Sequence, residues 1–153
     1  MAKPDFPPLL PPGLHRLTLP DLHALAVAPF PLDVQRKDLF HKLSTWTRAV
    51  QASGASVTLW LDGSFLTQKP GPDDIDCVLW NPSWLSPANA TPANRQQLNH
   101  LLDRAVAETL YGLDFYVEVP VPDMTFHREA YWRGVLGFAH DRVTAKGFAE
   151  VQI

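Results

Sequence analysis

The chain has 153 residues, 46% of them hydrophobic, and a formal net charge of −3. This length predicts one domain with its own core, and without a concentrated basic face we expect no binding of duplex DNA. Cys77 is the single cysteine, which excludes an internal disulfide and a cysteine-based zinc set. With no signal-peptide pattern and no apolar run of about 18 residues, we expect a cytoplasmic protein without membrane contact.

Residues 1–12 are predicted to form an extended arm, because the five prolines in this stretch fix backbone angles and remove hydrogen-bond donors. Thr18 is a suitable N-cap for a short helix that ends near Ala26, where further prolines follow. We expect residues 1–32, the arm and the short helix, to pack on a core formed by residues 33–153, with a single domain overall.

A long helix is predicted from Asp33 to about Ser53, because apolar side chains recur there at steps of three and four residues. Gly54 lies just past its end, where a helix commonly stops. Two short, apolar strands are predicted next, at Val57–Leu61 and Ile75–Trp80. The segment between them contains Pro-Gly-Pro and is predicted to be a loop.

The second half of the chain is predicted to alternate between helices and strands. Residues 81–93 are rich in Pro, Asn and Ser and are predicted to be a loop, after which one helix should run until Gly112. A strand at Leu113–Val119, a helix at Phe126–Leu136 and a terminal edge strand at Gly147–Ile153 complete the pattern. This order predicts an α/β (α+β) fold, with a small mixed β-sheet covered by helices.

Two acids are predicted to lie on one side of the second strand. Asp74 and Asp76 are one residue apart, so their carboxylates share a face while Ile75 points into the core. Neighbouring like charges favour a cation, and Mg²⁺ commonly uses one or two carboxylates together with substrate phosphates. Asp74 and Asp76 are therefore candidate ligands for Mg²⁺ or Mn²⁺.

A candidate phosphate-binding turn precedes this pair. Gly63 and Ser64 directly follow a predicted strand, where the glycine lets a phosphate approach the backbone and the serine offers a hydroxyl. A third acid could complete a two-metal arrangement. Asp114 is preferred because it stands at the beginning of the third strand, but Glu118 lies on the same face and stays an alternative.

These residues resemble a known motif. Gly63-Ser64, nine intervening residues and then Asp-Ile-Asp-Cys resemble the Gly-Ser, spacer and Asp-apolar-Asp-apolar pattern of the nucleotidyltransferase superfamily, which has a polymerase-beta-like fold. The segments Trp60–Thr67 and Pro72–Asp76 are similar to those of a poorly characterised bacterial family of stand-alone nucleotidyltransferase-like proteins. Two outer segments, Pro11–His15 and Lys146-Gly147, extend the resemblance over most of the chain.

The resemblance implies a minimal nucleotidyltransferase fold that moves a nucleoside monophosphate from an NTP, such as ATP, to a hydroxyl group. Carried over to this sequence, Asp74, Asp76 and Asp114 would be the catalytic acids and would hold the metal. Gly63 and Ser64 would hold the triphosphate.

Two further residues are candidates for nucleotide binding. No arginine lies in the spacer, where minimal nucleotidyltransferase antitoxins usually carry one, so Lys69 is expected to take the phosphate-binding role. Thr67 is expected either to contact phosphate or to shape the turn.

The acceptor stays open, because the chain is too short for the second, helical domain that grips the acceptor in larger members. A protein or an RNA end is the expected acceptor. In the alternative, the chain is a non-catalytic or partner-dependent module that acts as an antitoxin or a defence-system component.

Some residues near the motif have plainer predictions. Asp62 is expected to shape or cap a turn, because aspartate favours such positions. Trp84, in a predicted loop near the site, is a better candidate for base contact than the other tryptophans, which are expected in the core. Arg128 and Arg133 are expected on a solvated face of the last helix, with contact to a phosphate as the alternative for either.

Overall fold

The computed structural model describes residues 3–153 and contains one mixed five-stranded sheet in the order β1-β5-β2-β3-β4. The pairs β1–β5 and β3–β4 are parallel, and β2 runs antiparallel to both β3 and β5. The strands are β1 (Gly13–Arg16), β2 (Ala55–Asp62), β3 (Ile75–Trp84), β4 (Leu113–Glu118) and β5 (Gly147–Gln152).

Five helices cover the two faces of the sheet unequally. The main core joins the first four helices to the odd-numbered positions of β2 and β3, among them Leu59 and Cys77. A smaller core packs the last helix against Trp60 and Trp80 on the opposite face. The predicted mixed α/β fold is confirmed. The helices are α1 (Leu19–Ala26), α2 (Val34–Ala52), α3 (Pro92–Leu101), α4 (Arg104–Tyr111) and α5 (Thr125–Leu136).

The first two helices begin where their caps predict. Thr18 and Asp21 form a capping box at the start of α1, and Asp33 accepts a hydrogen bond from the backbone N–H of Arg36 at the start of α2. Among the helices of residues 3–153, none is long and apolar enough to cross a membrane.

The single helix predicted up to Gly112 is wrong, because two helices occupy this stretch. α3 ends at Leu101, and Asp103 then accepts a hydrogen bond from the N–H of Val106, which caps α4. An aspartate side chain competes for backbone donors and therefore favours a new helix start over a continuous helix.

The loop predicted for residues 81–93 is wrong at its beginning, because β3 continues to Trp84. Trp84 pairs with Ala55 at the far end of β2, and a bulge between Ser56 and Thr58 accommodates the intervening residues. Pro82 lies in this irregular stretch, where a missing backbone donor is tolerated.

The terminal strand is not an edge strand, since β5 lies between β1 and β2. The neighbour that the sequence did not predict is β1. This strand has only four residues and too little alternation to be recognised from its sequence. Its pairing depends on Gly147, where a Cβ atom would stand 2.1 Å from the carbonyl oxygen of Pro11. Only glycine fits this close approach of two backbones.

The part of the predicted arm that the structure describes, residues 3–12, lies against the loop that follows β2, whereas residues 1 and 2 lie outside the described residues. Leu9 donates its N–H to the carbonyl of Leu66, and Gln68 donates its N–H to the carbonyl of Pro7. Leu10 is buried in the main core.

Candidate functional site

Three carboxylates lie in one row across neighbouring strands. Asp62 on β2 is the register partner of Asp76 on β3, and Asp76 is the register partner of Asp114 on β4. Adjacent strands are about 4.8 Å apart, so the row brings three acids together on the face that α5 covers. The antiparallel and parallel pairings that produce this row join segments far apart in the sequence.

Negative charge in this row is only partly compensated. Burial, and then the charges of Asp74, Asp62 and Asp114, raise the pKa of Asp76 to about 6. Burial, and then the charge of Asp114, likewise raise the pKa of Asp74, which directly precedes β3. Lys3 and Lys69 lower the pKa of Asp74, and Lys146 lowers that of Asp76, but burial and the neighbouring carboxylates outweigh these cations.

Gly63 makes room for the central carboxylate of the row. Its φ of +83° and ψ of −167° belong to a region that is essentially restricted to glycine. A Cβ atom at this position would stand 1.9 Å from Oδ2 of Asp76. The backbone at the end of β2 can therefore pass beside Asp76 because residue 63 has no side chain, and Ser64 follows in a short 3₁₀ turn.

The acids and the Gly-Ser turn share one cavity of about 1180 Å³. This volume is above the usual range of about 300–1,000 Å³ for small-molecule sites, so the cavity has room for a nucleotide. All seven site residues predicted from the sequence line it: Gly63, Ser64, Thr67, Lys69, Asp74, Asp76 and Asp114.

The side chains of Thr67 and Lys69 already have partners within the loop that follows β2. The hydroxyl of Thr67 donates to the carbonyl of Ser64 at 2.9 Å and accepts from the N–H of Lys69 at 3.2 Å, which shapes the turn. The ammonium group of Lys69 lies 3.3 Å from the exposed carboxylate of Asp73. Because exposed ion pairs of this kind are weak, Lys69 remains able to turn toward a ligand.

The two candidates for the third acid occupy different surroundings. Asp114 stands beside Asp76, and its Oδ1 accepts a hydrogen bond from Arg104 at 2.8 Å. Glu118 stands beside Trp80, further along the sheet, where it binds Arg128 and accepts a hydrogen bond from Trp132. The hydrogen bond from Arg128 lowers the pKa of Glu118. The geometry thus favours Asp114 as the third acid.

A comparison with known protein families identifies the family of this chain. Residues 4–152 match DUF6932, a family of unknown function. The chain belongs to DUF6932. The match includes every helix and strand described above, so the row of acids and its cavity lie within the DUF6932 domain. No curated protein and no solved structure matches the chain.

The prediction that Asp62 shapes a turn is wrong for this DUF6932 chain. Asp62 is the last residue of β2, only 6% exposed, and both its carboxylate oxygens lie 2.7 Å from Nζ of Lys146. Burial raises its pKa, whereas Lys146 acts in the opposite direction. The sequence signal for this pair was weak, since the two residues are distant in the chain and meet only when β5 joins β2.

Two other predictions need correction. Trp84 stands at the end of β3 opposite the acids and packs partly against the main core, so it does not lie near the site. Arg133 is exposed, as expected, whereas the guanidinium group of Arg128 is partly buried and paired. Arg128 forms an ion pair with Glu118, and Arg133 lies 5.2 Å from the centre of the Trp60 ring.

Sequence reasoning also missed a buried arginine that holds the Gly-Ser loop of the DUF6932 domain. Arg36 on α2 is fully buried and lies 4.1 Å from the ring centre of Phe30. Its two terminal nitrogens donate four hydrogen bonds, at 2.5–3.0 Å, to the backbone carbonyls of Ala26, Phe65, Thr67 and Lys69. The spacer therefore lacks its own arginine but is fixed by one from a helix.

The donor set at the row fits a hard cation that shares its ligands with a substrate. Residues 3–153 contain no group of three histidine, cysteine or acidic side chains placed to hold a metal by themselves. Asp62 is paired with Lys146, and Asp114 with Arg104, whereas Asp74 and Asp76 form no such ion pair within the described residues. Two carboxylates with further oxygens from phosphates are a common ligand set for Mg²⁺.

Proposed function

We propose that this DUF6932 protein is a metal-dependent nucleotidyltransferase, which moves a nucleoside monophosphate from an NTP to a hydroxyl group of an acceptor. The observation that carries the proposal is the placement of Gly63 against Asp76, with Asp114 beside Asp76 on the neighbouring strand. The Gly-Ser turn, which leaves room for the Asp76 carboxylate, and the acidic row thus meet in one cavity.

The nucleotide would lie on the β2 side of the row. The backbone at Gly63 and the hydroxyl of Ser64 would contact the triphosphate, and Lys69 would supply a positive charge after leaving Asp73. Asp74 and Asp76 would hold Mg²⁺ or Mn²⁺, which supplies charge stabilisation for the phosphates when it is bound.

The acceptor would lie on the β4 side of the row. Its hydroxyl oxygen forms a bond with the α-phosphorus, the bond from that phosphorus to the bridging oxygen breaks, and pyrophosphate leaves with the bonding electrons. Oδ1 of Asp114 is held by Arg104, so Oδ2 is the oxygen that accepts the hydroxyl proton. Arg104 keeps the carboxylate oriented for this transfer.

A second candidate function has one observation in its favour. Because Arg104 and Lys146 already neutralise the two outer acids, the site could serve to bind a nucleotide without transferring it. In that case the chain would be a partner-dependent module, such as an antitoxin or a defence-system component.

Calorimetric titration tests the proposal. Each NTP is titrated into the protein with Mg²⁺ and with EDTA, and the same titrations are made with Asp76→Asn and with the exposed-site control Asp123→Asn. The proposal expects binding that requires Mg²⁺, survives in Asp123→Asn and is lost in Asp76→Asn. Equal binding by both variants would refute the proposed site.

Transfer is tested separately from binding. The protein is incubated with NTPs labelled at the α-phosphorus, Mg²⁺ and a cell extract, and label is followed in protein and in nucleic acid. Incorporation that is lost in both Asp76→Asn and Asp114→Asn supports catalysis. Metal-dependent binding without any incorporation would favour the non-catalytic alternative.

A further inference from the structure

Three aromatic rings line the β4 side of the cavity, and an arginine outside the cavity lining lies against each of the two outer rings. The guanidinium of Arg104 lies 4.6 Å from the centre of the Tyr116 ring, and that of Arg128 lies 4.8 Å from the centre of the Tyr131 ring. Between them, Trp132 lies 5.3 Å from Tyr116 and 5.2 Å from Tyr131, measured between ring centres. These five residues are called the arginine–aromatic row below.

The two tyrosines of this row are accessible to solvent. Tyr116 and Tyr131 are 49% and 53% exposed, whereas Trp132 between them is 7% exposed and is anchored by its hydrogen bond to Glu118. Both tyrosines line the cavity that contains the acids.

We propose that the arginine–aromatic row binds the single-stranded end of a nucleic-acid acceptor and directs its terminal hydroxyl toward Asp114. The inference rests on the proposed function, since it names the acceptor class for that site. Bases stack on the accessible parts of the Tyr116 and Tyr131 rings, and the arginine that lies against each ring contacts the neighbouring phosphates. Aromatic faces combined with cations are the usual means of binding single strands without reading their sequence.

The arginines retain donors for this role. A guanidinium has five N–H donors, and Arg104 uses its Nη2 toward Asp114 and Tyr116, while Arg128 uses Nε and Nη2 toward Glu118. The remaining N–H groups can contact phosphate oxygens. With a net charge of −3 and two arginines in the row, the surface suits a short strand end rather than a duplex.

The order of the strands separates the two substrates. Gly63 follows β2, Asp76 lies on β3, and Asp114 lies on β4, which is an edge strand of the sheet. The triphosphate side and the arginine–aromatic row are therefore on opposite sides of Asp76. The end of a single-stranded nucleic acid can therefore reach the reacting phosphate by passing Asp114, without displacing the Gly-Ser turn.

Fluorescence anisotropy with the full chain tests the inference. The probes are labelled single strands of RNA and of DNA, about eight nucleotides long, each compared with its own duplex and measured without NTP. Tyr116→Ala and Tyr131→Ala are each expected to weaken single-strand binding by about five- to a hundredfold, while Tyr116→Phe and Tyr131→Phe retain it. Phe126→Ala is the matched control, because Phe126 is 76% exposed on the same helix as Tyr131 but lies outside the cavity lining.

Each outcome decides between explanations. Stronger binding of RNA than of DNA would identify contacts to the 2′-hydroxyl, and equal binding would identify a general single-strand site. Equal losses in Phe126→Ala and the tyrosine variants would overturn the inference.

If Mg²⁺–NTP binds as the proposed function expects but no oligonucleotide does, the inference alone fails and a protein acceptor is favoured. If Tyr116→Ala weakens NTP binding instead, the row belongs to the nucleotide site and the inference is also overturned.

Discussion

The ammonium nitrogen of Lys146 lies 2.7 Å from each carboxylate oxygen of Asp62, at the point where β5 begins and β2 ends. Their side chains are 13% and 9% exposed, so the pair is largely withdrawn from water. It lies next to Asp76, whose pKa Lys146 also lowers without forming an ion pair with it. One acid of the row is thus neutralised by the fold, while its neighbour forms no ion pair within residues 3–153.

Lys146→Met is expected to lower the free energy of unfolding by about 3–5 kcal/mol, because it leaves the Asp62 carboxylate buried without a partner. Adding Asp62→Asn to this variant should restore part of the loss. Lys42→Met is the control, since Lys42 pairs with Asp38 at the surface and its removal should cost at most about 1 kcal/mol. Urea denaturation measures all three; similar losses in the two lysine variants would contradict the argument.

Gly63→Ala is expected to abolish Mg²⁺–NTP binding as well as destabilise the fold, because its Cβ would overlap Oδ2 of Asp76. Gly13→Ala separates this clash from backbone strain. Gly13 also has a positive φ, +112°, but a Cβ atom there would have no neighbour within 4 Å. Strain alone should cost each variant about 1–3 kcal/mol. Calorimetry should find binding intact in Gly13→Ala; loss of binding in both variants would point to a general effect on the fold.

The period-two alternation of a strand was enough to predict that Asp74 and Asp76 share a face, because this relation is local. The prediction that Asp114 joins them depended on two strands becoming parallel neighbours, and here the resemblance to a known motif supplied what alternation could not. The pair Asp62–Lys146 was missed because it forms only through the non-local pairing of β5 with β2.

The errors in the fold have equally specific causes. β1 was missed because four residues, Gly-Leu-His-Arg, carry no clear alternation and gain their order from β5. The break between α3 and α4 was missed because the apolar spacing continues through it, and the cap at Asp103 decides the outcome. Arg36 was missed because an arginine on a helix is ordinarily exposed. Its acceptors come from the end of α1 and from the loop after β2, which are distant from each other in the sequence.

The raised pKa of Asp76 predicts a pH dependence of stability in the absence of metal. The folded chain binds this proton with a pKa of about 6, and the ordinary value is 3.8. Between about pH 4 and 6 the folded state therefore holds more protons than the unfolded state, so the free energy of unfolding falls as the pH rises through this window. The contribution is about 3 kcal/mol at most.

Asp76→Asn should remove this contribution. In EDTA, we expect the variant to be more stable than the wild type by about 1–3 kcal/mol above pH 7, with the difference vanishing near pH 4. Mg²⁺ at neutral pH should then stabilise the wild type but not the variant, because a bound cation offsets the carboxylate charge. Urea denaturation at several pH values provides the measurement. A variant that is less stable than the wild type at neutral pH would show that Asp76 has a favourable partner in the folded chain.

Arg36→Met is expected to increase the mobility of the loop that carries Ser64. The substitution keeps an apolar side chain of similar length but removes the donors to four backbone carbonyls, three of which lie between Phe65 and Lys69. Buried acceptors without donors should lower the free energy of unfolding by about 3–5 kcal/mol. Arg36→Lys should recover little of this stability. The four carbonyls are arranged around the two terminal nitrogens of a planar guanidinium, and a single ammonium group cannot bond to all of them.

The effect of Arg36 on function is tested by comparing Arg36→Met with the control Arg48→Met. Arg48 is an exposed arginine on the same helix. At a temperature where both variants are folded, Arg36→Met should reduce nucleotide transfer by up to about a hundredfold, because small displacements of a positioned substrate are costly. Arg48→Met should behave as the wild type. If Arg36→Met lost stability but kept full Mg²⁺–NTP affinity and transfer, the loop would hold its shape without the arginine, and the role of Arg36 would be confined to the core.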